Sequence, residues 1–191
     1  MRSKEFLTED VSPELQKLLD SAATNGAKMA SSRTLRYQLH LPRTLMKVDI
    51  KPNAELWTST AIRQGPNSYT SAWAEWCYYN MPDWLSKKGR LYQVNSGARV
   101  LNLGSDDAAR KVAALFGRHY TQGRYEILGN YPWEELGKYF DAVRYPARLS
   151  GNWGSRQSNI LMSMWDVEST AWYNTRYLTL IQEVDITVRG W

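Results

Sequence analysis

A single cysteine, Cys77, stands in a chain of 191 residues, so an internal disulfide framework is excluded. That scarcity fits a reducing compartment, and a cytoplasmic location is expected. There are only two histidines, and with one cysteine they do not make an ordinary zinc site, so no metal is expected. No stretch of about 18 apolar residues occurs, so no membrane-spanning helix and no membrane partner are expected. The first ten residues lack an apolar segment of the kind a secretory signal carries. Glycine-rich nucleotide loops, a His-Glu-x-x-His pair and a Gly-x-Ser-x-Gly elbow are all missing. The charge is mildly basic: 24 Lys and Arg against 19 Asp and Glu give +5, well short of a nucleic-acid-binding tail.

Rings are what the chain has in quantity. Nine Trp and twelve Tyr, against three Phe, combine large apolar area with a polar tip, which suits cores, pocket walls and interfaces. With 43% hydrophobic residues the chain can fill a core, and its length fits one domain. Residues 1–11 read as a flexible arm of mixed charge without periodicity, and 12–191 as a single domain.

Ser12-Pro13 is a helix start, with Leu15, Leu18, Leu19 and Ala22 on one stripe; Asn25-Gly26 offers a stop, and a further turn to Ala30 is the alternative. Leu35, Tyr37, Leu39 and Leu41 alternate with Arg36, Gln38 and His40, a half-buried strand. Residues 45–50 and 55–62 offer two more. Ser71 caps a helix bearing Trp73, Trp76 and Cys77, and Cys77 reads as a core thiol rather than a nucleophile. Residues 91–94 and 98–103 flank Asn95-Ser96-Gly97, which reads as a hairpin turn. Ser105, with Asp106 and Asp107 behind it, opens a further helix. A short helix over 132–140 leads into a strand over 141–145. Residues 146–158 form a long Gly/Asn/Ser/Arg loop, and 177–188 a closing strand. The sum is an α+β fold: an antiparallel or mixed central sheet with three or four flanking helices.

Three clusters carry chemistry. Arg36, Gln38 and His40 share one face of a strand, and a solvated face is the plainer explanation. Trp57-Thr58-Ser59-Thr60 marks a strand giving way to a polar loop; a buried tryptophan with hydroxyls bonding local backbone is the plainer explanation. Trp165-Asp166-Val167-Glu168-Ser169-Thr170 sets two carboxylates among rings and hydroxyls. If extended, Asp166 and Glu168 share one face; a turn using Asp166 and Ser169 is the alternative.

In order and kind these clusters resemble the ADP-ribosyltransferase fold family, which runs Arg or His, then Ser-Thr-Ser, then Glu. The matching positions are Arg36 or His40, with Arg43 a further choice, then Ser59-Thr60, then Glu168. This sequence reads Thr58-Ser59-Thr60 for the middle motif and Asp166-Val167-Glu168 for the late one, each a departure from the family's usual letters. The likeness covers residues 35–188 and is similar to small phage and bacterial proteins of that type. It implies a split-sheet fold and NAD as substrate. It implies Glu168 and Asp166 as catalytic carboxylates, and NAD contacts from Arg36, His40, Ser59, Thr60 and Trp57.

The opening, Met1 to Glu9, is similar to the openings of proteins from T4-like tailed phages, and Leu7-Thr8-Glu9 to the sites their head proteases cut. That resemblance implies packaging in the virion and action on a host protein or nucleic acid in the host cytoplasm. The expectation from a different class is a non-enzymatic virion or host-factor-binding protein that uses a Trp/Tyr-rich surface. The sequence leaves the oligomeric state open.

Overall fold

A computed structural model describes residues 11–37, 52–119, 131–146 and 167–188. The N-terminal arm, the expected strand over 45–50, His40, Arg43, Trp165, Asp166 and nearly all of the long loop over 146–158 lie outside the described residues.

Helix α1 (Pro13–Met29) starts as the sequence dictates. Ser12 Oγ accepts from the Leu15 N–H, and Pro13 takes the first turn, where no intrahelical N–H is missed. It runs through Asn25-Gly26 and takes the further turn, with Ala30 as its C-cap. Gly26 lies against the backbone of Ala98, where an added Cβ would fall 1.7 Å from the carbonyl oxygen. The glycine is a close-approach residue inside a helix.

Strand β1 (Arg33–Tyr37) pairs antiparallel with β2 (Leu56–Thr60). A two-residue β3 (Ile62–Arg63) and β4 (Ser68–Thr70) follow, then helix α2 (Ala72–Asn80) and a 3₁₀ turn (Pro82–Trp84). Next come β5 (Lys88–Val94), β6 (Val100–Asn102), α3 (Asp106–Leu115), α4 (Trp133–Tyr139), β7 (Ala142–Tyr145), β8 (Ser169–Trp172) and β9 (Leu178–Ile186). Ser71 and Ser105 cap α2 and α3 through the N–H groups of Ala74 and Ala108.

The class is α+β, with four helices and one mixed nine-stranded sheet among the described residues, in the order β3-β4-β9-β5-β1-β2-β8-β7-β6. Among the described residues, parallel pairing occurs only between β4 and β9 and between β6 and β7. One expectation is overturned: residues 91–103 are not a hairpin. Gly97 does turn the chain, with φ +91°, but β5 pairs with β1 and β9 while β6 pairs with β7 at the sheet's far end. Local turn chemistry sets a bend and leaves the partner strand to long-range burial.

The main core joins Trp57, Leu101, Val143 and Ala171 of the sheet to Leu15, Leu19, Trp73, Cys77, Val112, Trp133 and Leu136 of the helices. A second core holds Met29, Leu56, Val94, Val100, Ala142 and Trp172. Trp73 stacks on Trp76 and Trp84 at 5.2 and 6.3 Å, and Trp76 and Trp84 meet tilted at 6.4 Å, with Trp73 buried and the other two half-buried. Burial pushes the Cys77 thiol up to about 12, so it stays protonated and inert at neutral pH.

Candidate active site

The sheet order places β1, β2 and β8 side by side. Strand β2 is buried along nearly its whole length, and its last two residues carry hydroxyls where the chain leaves the sheet. Glu168 stands one residue before β8, so the β2–β8 pairing that matches Thr58 with Thr170 delivers it to the end of β2. Positions more than a hundred residues apart meet there.

The Glu168 side chain is 5% exposed, and donors surround its carboxylate. Oε2 accepts from the Thr60 N–H at 2.9 Å and from the Ser59 hydroxyl at 2.9 Å. Oε1 accepts from the Thr60 hydroxyl at 2.9 Å and from Arg144 Nε at 3.3 Å. A carboxylate offers about four lone-pair sites, so these donors fill them. Ser59 has a second acceptor within reach, the Glu168 backbone carbonyl at 3.0 Å, and one hydrogen to give. Turning that hydroxyl from Oε2 to the carbonyl costs no hydrogen bond and frees one carboxylate lone pair. The Arg144 guanidinium, 25% exposed, balances the charge.

Of the other residues singled out in the sequence, Arg36 stands on β1 in register with Thr58. Trp57 is 6% exposed and packs in the main core, the buried ring that the sequence allowed. Among the described residues no group of three His, Cys, Asp or Glu is placed to hold a metal ion.

Two residues with dense polar contacts escaped the sequence reading. Arg144 interrupts an otherwise apolar strand, Ala142-Val143-Arg144-Tyr145, and that interruption was the available signal. Asp141, 2% exposed, gathers the Arg99 N–H at 2.8 Å, Asn174 Nδ2 at 2.9 Å and an Arg176 nitrogen at 2.8 Å. It ties the segment after β8 to the start of β7 and is a structural hub.

A separate cleft of ≈310 Å³ is lined by Asn53, Trp133, Glu134, Gly137, Lys138 and Tyr173. Tyr173 follows β8 at its opposite end, roughly 16 Å along the strand from Glu168 at about 3.3 Å per residue. Its hydroxyl is held well above the usual tyrosine range by burial and, second, by the Glu135 carboxylate.

No protein-family model matches the chain, and no curated protein or solved structure does.

Proposed function

We propose that the chain is an NAD-dependent ADP-ribosyltransferase-like protein of phage or bacterial origin, with that family's split-sheet fold, acting on a host protein or nucleic acid. The observation that carries the reading is the meeting of Ser59 and Thr60 with Glu168, across 108 and 109 residues of sequence, beside the strand that bears Arg36. The residues also suit the substrate chemically. A carboxylate fixed by two hydroxyls and an N–H, with one hydroxyl able to turn away, can accept from a ribose hydroxyl. NAD supplies a ribose bond that leaves positive charge on the sugar carbon as nicotinamide departs. Glu168 stabilises that charge, Ser59 and Thr60 hold its carboxylate in place, and Arg144 fixes the opposite oxygen.

The test is nicotinamide release from NAD by the wild type and by Glu168→Gln, with circular dichroism as the folding control. The expected loss is about a hundred- to a thousand-fold. Full turnover in a folded Glu168→Gln variant overturns the assignment.

A second reading, a non-enzymatic binding protein, is favoured by one observation: Tyr79 is 70% exposed on the helix that carries the half-buried Trp76. Under that reading Tyr79→Ala abolishes partner capture while Glu168→Gln leaves it unchanged.

A further inference from the structure

One polar line crosses five strands of the sheet. Asn102 on β6 pairs in register with Arg144 on β7, Arg144 with Thr170 on β8, Thr170 with Thr58 on β2, and Thr58 with Arg36 on β1. The two register rows on one side of its β6–β8 part are apolar: Leu101, Val143 and Ala171 in the first, Val100, Ala142 and Trp172 in the second. Inside this line two groups are left with hydrogen-bonding capacity. Arg144 spends Nε on Glu168, and neither of its terminal nitrogens has a partner among the described residues. Asn102 Oδ1 is buried and has no partner either.

We infer that Arg144 and Asn102 form a sugar-phosphate subsite beside Glu168. The two terminal N–H edges of a guanidinium present a fork that matches two oxygens of a phosphate. Its Nε edge is already committed to Glu168, so an anion at the far edge is separated from the carboxylate by the guanidinium itself. Attraction acts over a shorter distance than repulsion and wins, because both fall as the inverse of distance. Asn102 Oδ1 needs a donor, which a phosphate alone does not supply and a sugar hydroxyl does. A buried acceptor left unmatched would count against binding. Phosphate for Arg144 and hydroxyl for Asn102 together describe a ribose phosphate. The identity of that ligand as the ADP-ribose half of NAD rests on the transferase reading; the subsite itself does not.

The test is calorimetric titration at low salt with ADP-ribose, ribose 5-phosphate and inorganic pyrophosphate. It uses the wild type, Arg144→Gln, Arg144→Lys and Asn102→Ala, each checked by circular dichroism. The wild type binds all three ligands. Arg144→Gln weakens each by about tenfold or more, and Arg144→Lys, which keeps the charge and loses the fork, weakens them less. Asn102→Ala weakens the two sugar ligands and spares pyrophosphate. No binding by the wild type, or equal binding by the wild type and a folded Arg144→Gln, overturns the subsite. Should Arg144→Gln not fold, unchanged affinity in both Arg144→Lys and Asn102→Ala overturns it. Arg144-dependent binding of ribose 5-phosphate without any NAD turnover retains the subsite and removes the transferase reading. NAD turnover indifferent to Arg144 does the reverse.

Discussion

Glu168 shows how much one side chain is asked to do. Its carboxylate receives two hydroxyls, a backbone N–H and a guanidinium, so it clamps the entry of β8 to the exit of β2 as well as standing in the candidate site. A glutamine there keeps one acceptor and turns an NH₂ toward Thr60 or Arg144. The expected stability loss is about 2 kcal/mol in urea unfolding, below the cost of breaking a fully buried pair because Arg144 is partly exposed. An unchanged unfolding midpoint would show that the clamp carries no weight. Gly26 is the opposite kind of residue, valuable for what it lacks. Alanine is the better helix former by about 1 kcal/mol, yet its Cβ would overlap the Ala98 carbonyl. Gly26→Ala is expected to destabilise by about 3 kcal/mol or more, because backbone on both sides must shift. Cys77 gives a pH dependence. Its folded value of about 12 lies above the ordinary 9.0, so the folded state holds the proton that the unfolded chain releases. The contribution is whole below pH 9.0 and is lost as pH rises toward about 12. Cys77→Ser should flatten the alkaline limb of the stability profile, and an unaltered limb would rule this source out.

Among the elements, α1, α2 and α3 begin where short-range chemistry says they must, since a serine hydroxyl meets a free N–H within one turn. Ser71→Ala is expected to cost about 1 kcal/mol, read from thermal unfolding. Strands β7 and β9 were equally legible, from β-branched and alternating residues. Pairing was not. Residues 91–103 contain a genuine turn at Gly97, but β5 and β6 find their partners through the cores on either side, and no local letter records that. Between a stop at Asn25-Gly26 and a further turn to Ala30 the local letters did not decide, and the close contact of Gly26 with Ala98 lies 72 residues downstream. The Asp141 hub was invisible because its partners are a backbone N–H and two side chains beyond β8. Asp141→Ala strands these donors in a buried place. We expect a loss of about 3 kcal/mol and faster proteolysis near Thr175 and Arg176. A variant as protease-resistant as the wild type would deny the hub its role.

At the scale of the molecule, one sheet carries the candidate site near its middle, where β1, β2 and β8 adjoin. Helices α1 to α4 all contribute to the main core, and Glu168 meets Ser59 across 109 residues of sequence. The site therefore depends on the whole fold being formed. In the sequence, hydroxyls and a carboxylate grouped with tryptophan rings made Ser59, Thr60 and Glu168 candidates, with local backbone bonding and a turn as the alternatives. Their meeting, and the part played by Arg144, needed the β2–β8 and β7–β8 registers. Trp57 lies in the main core, as a large ring on a central strand is expected to. The most direct measurement is a crystal structure of Glu168→Gln soaked with NAD, the slowed variant being used to keep the substrate intact. The account predicts the nicotinamide ribose within hydrogen-bond distance of residue 168, with the Ser59 hydroxyl turned to the backbone carbonyl. NAD seated elsewhere, for example in the cleft between Trp133 and Tyr173, with the bonds between Ser59, Thr60 and residue 168 undisturbed, would contradict it.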